Sequence, residues 1–413
     1  MKPNFDSEYI SLRSAICDGS ISIPEAVVEA LRNPVDYPSV DLAFVPGDRL
    51  AIALHGNLPN PFQIATPVLD WLMRQLEEKQ VAITLVIPRR TDFGSSVDQL
   101  PDQLRQWLAQ YHPERTLVIG SITEEESGEN APAPHEILRV VYHSPDEPQS
   151  LEYIAASDTA EPMYLQRELV EADFVIPIYR WLEPIDPRSA DPFVVLPAFA
   201  DGSTQQHYAK RWLLRTPNMR DEEIQHQSGW LLGVQFAIAV VINHDGEIGL
   251  VAAGNPERVA QVCSQAVATK PTSSALQSLE LVVVRILGDS NAESPRSPSW
   301  DEVASAVWIA EKWLTPTGRV VVIAEQLSEV TEGINALASD APDAELTQEL
   351  LNSSMENAFS ASILRSVQSR RSVYLQSQIS TEILESLGFA AIEQSSELER
   401  LIQSVGRVGV LEY

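Results

Sequence analysis

The sequence predicts an α/β protein of two domains. The N-terminal domain is expected to carry a largely parallel, doubly wound sheet. Three observations predict this. Between residues 50 and 120, apolar runs of strand length alternate with amphipathic segments of helix length. The same alternation restarts after residue 280. A chain of 413 residues is also longer than one hydrophobic core usually serves. The polar stretch Lys270 to Ser278 reads as a linker, which gives domains 1–270 and 271–413.

Each element follows from local pattern. Leu50 to Leu54 is a short apolar strand, and His55-Gly-Asn-Leu-Pro-Asn-Pro is a turn-rich loop. Ile64 to Lys79 is an amphipathic helix with Val68, Leu69, Leu72 and Leu76 on one stripe. Val81 to Ile87 is a strand, Leu100 to Tyr111 a helix and Thr116 to Gly120 a third strand. This order implies parallel pairing with right-handed crossovers, so the loops after the first two strands share one edge. The acidic, proline-rich stretch Glu124 to Pro134 reads as an exposed loop. Ile137 to Tyr142 and Leu151 to Ala155 read as strands, Pro162 to Glu171 as a helix and Phe174 to Ile178 as a buried strand. Ala237 to Ile242 and Ile248 to Ala253 pair across the turn Asn243-His-Asp-Gly-Glu, and a helix starts at Gly254-Asn-Pro-Glu. In the second unit, strands are expected at Leu281–Ile286, Gly318–Ala324, Val373–Leu375 and Val408–Leu411, with helices at Trp300–Leu314 and Leu384–Leu387. The acidic segment Glu325 to Asn357 is expected to be mostly helical.

Composition narrows the function. There are 58 acidic and 29 basic side chains, a formal charge of -29, and such a field repels phosphate backbones and anionic lipid. Nucleic-acid and membrane partners are therefore not expected. The two cysteines, Cys17 and Cys263, are too few for a zinc cluster or a disulfide framework. The N-terminus has no signal-peptide core, and no run approaches the ~20 apolar residues of a membrane helix. The expected location is the cytoplasm. A phosphate-binding glycine loop, a serine nucleophile elbow and an HExxH pair are all missing from the sequence.

The richest stretch runs from Glu171-Ala-Asp-Phe-Val-Ile-Pro-Ile-Tyr-Arg-Trp-Leu-Glu-Pro to Val194-Val-Leu-Pro-Ala-Phe-Ala-Asp. A strand runs there into a proline-punctuated loop, the place where open α/β sheets hold ligands. It resembles the core of the nickel-pincer lactate racemase (LarA-like) family, whose run is of the form L-x-E-A-D-x-V-I-x-I-G-R-x-E-P-H. Two further blocks carry the likeness: Leu50 to Ile87, and Gly233-Val-Gln-Phe-Ala-Ile-Ala-Val-Val-Ile through Ala252-Ala-Gly-Asn-Pro-Glu. The resemblance covers most of the chain and implies two α/β domains with a cleft between them. It also implies hydride chemistry at a 2-hydroxy acid, with nickel on a pincer joined to a lysine and histidines as acid and base.

The family's reactive residues are replaced here. Its first-loop arginine has no counterpart in His55-Gly-Asn-Leu-Pro-Asn, and Asp92 stands where its second loop has a histidine. Ile185 replaces the histidine after Glu-Pro, and Phe193 replaces the cofactor lysine, or Asp191 if the loop is gapped differently. His207 falls about two residues ahead of the nickel-ligand position, and Arg296 is the only cation in the second domain's corresponding loop. All these losses fall in binding-edge loops. The resemblance therefore implies a divergent, pseudoenzyme-like member with no metal and no nickel-pincer nucleotide; a different alignment of the loops would instead leave a nickel-pincer site with lactate racemase activity. Whether it is an enzyme stays open, the alternative being an isomerase of the racemase or epimerase type with a rearranged site.

The polar replacements form the candidate site. His55, Arg89, Arg90, Glu183, Arg188 and His207 are the ligand-binding candidates, with Asp92 and Asp186 as an acid/base pair. Arg89 and Arg90 at a strand end suit a carboxylate or phosphate, so a small anionic metabolite, or else a protein partner, is the expected occupant of the cleft; the alternative is two exposed loop charges. The aspartate pair needs burial to raise one pKa; the alternative is two solvated carboxylates, with Asp186-Pro capping a turn.

Overall fold

A computed structural model describes residues 8–13, 21–56, 58, 60–88, 99–120, 133–156, 162–182, 195–213, 229, 231–243, 247–266, 279–286, 298–353 and 355–412. Two large sheets organise it. The first contains β2 (Arg49–Leu54), β3 (Ala82–Pro88), β4 (Thr116–Ile119), β5 (Ile137–His143), β8 (Phe174–Arg180), β9 (Ala237–Ile242) and β10 (Ile248–Gly254). Its order is β10-β9-β8-β2-β3-β5-β4, parallel except for the antiparallel β9–β10 pair.

The sheet is covered on both faces, which is why its strands are almost continuous apolar runs. One face presents Leu50, Ile52, Leu54, Leu85, Ile176 and Ile178 to a core shared with α1 (Ile23–Arg32), α2 (Pro61–Leu76) and α3 (Leu100–Tyr111). The other face is narrower in side-chain volume. Ala51, Ala53, Val86 and Val175 leave room for Leu165, Leu169, Val195 and Phe199 to pack close to the strands. Leu165 belongs to a two-stranded sheet of β6 (Leu151–Ala156) and β7 (Pro162–Gln166), and Leu169 to the one-turn α4 (Arg167–Val170). Farther along this face, Tyr179 and Trp181 pack with Val259 and Cys263 of α6 (Pro256–Ala266). Between them in sequence lies α5 (Gly202–Leu213).

Strand β2 sits between β3 and β8. The chain leaves β2 toward β3 and later returns on the opposite side at β8, so the order reverses at β2/β8. In open α/β sheets this reversal opens a crevice beyond the carboxyl ends of the two strands.

The second sheet has the order β1-β15-β11-β12-β13-β14 and is parallel throughout. Its strands are β1 (Glu8–Arg13), β11 (Leu279–Arg285), β12 (Leu314–Ile323), β13 (Val373–Gln376), β14 (Ala390–Ala391) and β15 (Arg407–Glu412). Helix α7 (Trp300–Glu311) is apolar nearly all round and is buried accordingly. Ser299 opens it with a reciprocal cap to Glu302. Five helices follow: α8 (Glu332–Asn335), α9 (Asp343–Leu351), α10 (Ala358–Gln368), α11 (Thr381–Ser386) and α12 (Ser395–Gln403). Strand β1 lies near the start of the chain yet pairs with β15 at its end, so the second sheet includes residues from both termini.

Several local expectations change. Pro162 to Glu171 is strand then one helical turn, because pairing with β6 buries Met163 and Leu165 on alternate positions. Strand β5 inserts between β3 and β4, leaving β4 at the sheet edge. The helix expected to reach Leu314 ends at Glu311, and Leu314 begins β12. Strand β1 and helices α1, α10 and α12 have no counterpart in the sequence reading.

Gly254 shows how tightly the first domain is joined. Its φ of 138° is open to glycine alone, and a β-carbon there would stand 2.5 Å from Val35 N. That close approach lets Val35 N–H donate to Ala253 O at 2.8 Å while Asn255 N–H donates back to Val35 O at 2.9 Å.

Candidate functional site

The carboxyl edge of the first sheet brings His55, Arg180 and His143 to the ends of β2, β8 and β5. His55 follows directly on β2. Its backbone N–H donates to Ile178 O at 2.9 Å, which continues the parallel ladder one step past Leu54. Its carbonyl accepts from Leu58 N–H at 3.3 Å, so the loop turns at once. The β2–α2 loop then reaches Asn60, which adopts a left-handed conformation, and Pro61 starts α2. The amino end of α2 therefore points at this edge with the positive end of its dipole.

Phe199 is fully buried beneath His55. The two rings meet edge to face at 6.5 Å. On its other side Phe199 lies 5.8 Å from the ring of His143, tilted by 56°. Phe199 is carried by the turn at residues 195–200, which includes a cis Leu196–Pro197 peptide. The turn is held on three sides. Phe199 O accepts from Gln166 N–H at 2.9 Å, Ala200 O from Gln205 Nε2 at 3.0 Å, and His143 Nε2 lies 3.1 Å from Ala200 O.

His143 is only 1% exposed, so every polar atom of its ring must be satisfied inside the protein. Its Nδ1 lies 2.9 Å from Gln166 Oε1, and Gln166 Nε2 donates to the Glu168 carboxylate. Burial pushes the His143 ring below the ordinary histidine value. The bonds to Gln166 and Ala200 and the charges of Asp146 and Asp201 push the other way. A neutral ring has one N–H and donates to one oxygen at a time; an added proton lets it donate to both. Asp201 has a structural task as well. Its carboxylate accepts from Thr204 N–H at 3.0 Å and Thr204 Oγ1 at 2.6 Å, closing the first turn of α5.

Of the eight residues expected from sequence, the structure describes two. His55 is half-buried at the sheet reversal, as its position after β2 requires. His207 is half-buried on α5, its ring 6.2 Å from that of Tyr208. Arg89, Arg90 and Asp92, which follow β3, lie outside the described residues. So do Glu183, Asp186 and Arg188, which follow β8, and Phe193 and Asp191 with them. Among the described residues no three histidine, cysteine, aspartate or glutamate side chains form a metal-binding group, and no helix is long and apolar enough to cross a membrane.

Sequence reasoning passed over Phe199, His143, Gln166 and Arg180. The signal for His143 was its place as the last residue of a parallel strand before Ser-Pro-Asp. For Arg180 it was the same place on β8. Phe199 and Gln166 carried no local signal, since their roles come from contacts with residues distant in the chain: Gln166 with His143, and Phe199 with His143 and His55.

No family model matches the chain, and no curated protein matches it. Solved structures do. The lactate racemase apoprotein from Thermoanaerobacterium thermosaccharolyticum superposes with a TM-score of 0.66 at 16% identity, over 97% of this chain and 92% of that one. A protein from Thermotoga maritima superposes with a TM-score of 0.58 at 12% identity, over 95% of this chain and 97% of that one. This chain has the fold of the lactate racemase apoprotein across both of its α/β domains.

Proposed function

We propose that this protein uses the lactate racemase fold to bind a small anionic ligand at the β2/β8 edge, in a cleft facing the second domain, without a nickel-pincer cofactor. The observation that carries the reading is a contrast. The fold matches over 97% of the chain, yet the positions that resemble the family's cofactor lysine and histidines hold Phe193, Ile185 and Asp92. Phenylalanine offers no amine for a covalent link. The residues present do not fit the pincer group.

What remains at the edge suits an anion. His55 sits over a buried aromatic floor at the sheet reversal. The amino end of α2 adds a partial positive charge beside it. Arg89 and Arg90, which come after β3 in the sequence, are proposed as further ligand contacts together with Glu183, Arg188 and His207. In a chain of net charge -29, a local cluster of basic side chains would select an anion by contrast with the surface around it.

Two measurements on purified protein test this. Metal analysis is expected to find no stoichiometric nickel. Calorimetric titration with sodium lactate at fixed ionic strength is expected to give saturable binding that His55→Gln weakens. Stoichiometric nickel together with racemisation of lactate would overturn the reading in favour of an isomerase whose rearranged site includes Asp92 and Asp186.

A further inference from the structure

We infer that His143 is a proton-operated latch: a second proton on its ring fastens the turn at residues 195–200, and with it the aromatic floor under His55. The reach to the ligand rests on the reading above; the latch itself does not.

The donors and acceptors around the ring carry the inference. The Glu168 carboxylate only accepts, so Gln166 presents its amide NH2 group to it and turns its Oε1 to His143 Nδ1, at 2.9 Å. The other ring nitrogen, Nε2, lies 3.1 Å from Ala200 O. Both nitrogens therefore face oxygens that only accept. A neutral imidazole has one N–H, so one of the two contacts sets a bare lone pair against an oxygen. The imidazolium donates to both. Gln166 is fully buried, and its backbone N–H is engaged with Phe199 O at 2.9 Å. Ala200 O keeps a bond from Gln205 Nε2 at 3.0 Å when the ring lets go. The neutral ring thus stays on Gln166 and releases the turn.

Charged groups face the ring from the elements around it. Asp146 follows β5, Asp201 opens α5, Glu168 of α4 acts through Gln166, and His55 lies across the Phe199 ring. The carboxylates favour the imidazolium. Burial opposes it and holds the ring below its ordinary value of about 6.5, so the latch closes on the acid side of that pH. The whole fold bears the cost of burying the charge, while the turn gains a second hydrogen bond.

The turn connects the latch to the sheet edge. The Phe199 ring lies 5.8 Å from that of His143 and 6.5 Å from that of His55. Ala200 precedes Asp201, whose carboxylate closes the first turn of α5, the helix that carries His207. Fixing Ala200 O steadies the floor under one ligand candidate and the start of the helix bearing another. An anion at the edge also favours a proton on the ring beneath it, so anion binding and proton uptake strengthen each other.

The test uses the full chain with isotope-labelled histidine. Ring nitrogen and N–H signals are followed by NMR from about pH 7.5 to about pH 5, the range in which histidines titrate. His143→Gln, which is permanently neutral, identifies the His143 signals by their loss. Glu168→Ala, which frees the Gln166 amide to turn, moves the same signals and identifies them if the glutamine variant does not fold. One ring N–H is expected near neutral pH and two at the acid end. A ring that keeps a single N–H throughout overturns the latch. Calorimetric titration with sodium lactate over the same range, at constant ionic strength, reads the reach to the edge. Affinity is expected to rise as pH falls, about fivefold more in wild type than in His143→Gln or, in its place, Glu168→Ala. Equal pH profiles would overturn the inference while the anion-binding reading stands. If wild type binds no lactate, the anion-binding reading falls and the ring spectrum alone decides the latch.

Discussion

Phe199 lies 5.8 Å from His143 and is wholly enclosed, with Ala51 and Ala53 of the sheet in the same core. This packing is what puts an aromatic floor under His55. Phe199→Ala empties that volume and is expected to cost about 3–5 kcal/mol, whereas Phe199→Leu, which refills most of it, is expected to cost less than half as much. Urea unfolding reads both. Equal midpoints for wild type and the alanine variant would show that the turn at 195–200 does not rest on this ring.

His143 makes stability depend on pH. Its folded-state value lies below the unfolded value of about 6.5, first because of burial. The unfolded chain then binds more protons in that interval, so the contribution is present above about pH 6.5 and is lost as pH falls toward the folded value. The urea midpoint is expected to drop between pH 7 and pH 5. His143→Gln is expected to flatten that part of the slope while lowering stability at pH 7 by about 1–3 kcal/mol. A slope identical in wild type and variant would assign the pH dependence to other groups.

Gly254 cannot take a side chain. The left-handed φ and the neighbouring Val35 backbone oppose one together. Gly254→Ala is expected to destabilise by roughly 2–4 kcal/mol, from conformational strain plus displacement of the Val35 strand bridge. Amide exchange at Val35 and Asn255 should quicken in the variant, and unchanged protection at both would contradict the close approach.

Glu311 ties the end of α7 to the segment just past α10, where Arg370 pairs with it and Arg371 Nε lies 3.7 Å from its carboxylate. Its two oxygens receive Arg370 Nε and Nη2 at 3.1 and 3.0 Å, and its side chain is 10% exposed. Such a partly buried fork loses more when one member is removed than when both are. Glu311→Ala is expected to cost about 2–4 kcal/mol and the double variant with Arg370→Ala less than the sum of the singles. Additive costs in the cycle would reduce the pair to an exposed contact.

Net charge sets the salt response. With -29 charges the compact state repels itself, and added salt screens that repulsion within a Debye length of about 10 Å at 0.1 M. The melting temperature is expected to rise by several degrees between about 0.01 and 0.5 M NaCl, most steeply at the low end. A flat or falling curve would mean that the acidic groups are already neutralised by ion pairs.

The strands were legible because burial on both faces leaves a local trace. Leu50–Leu54, Phe174–Ile178 and Ala237–Ile242 read as apolar runs whatever surrounds them. Position 162–171 was misread because its alternation serves only when β6 lies alongside. Helices α1 and α12 escaped notice although their patterns are amphipathic, since short segments compete with turns until a partner surface selects them. Of the site, His55 was visible as a histidine following a strand, but the floor that holds it was not.

The order of residues alone determined that this chain builds parallel α/β units and that Phe193, Ile185 and Asp92 stand where the family it resembles has a lysine and histidines, because strand length, helix period and side-chain chemistry are local properties. Only the tertiary structure decided that β5 enters between β3 and β4 and that β1 closes onto β15. It alone placed Phe199 between the rings of His55 and His143. These outcomes depend on which surfaces meet, and contact energy between distant segments is set by the packed whole rather than by any stretch of chain.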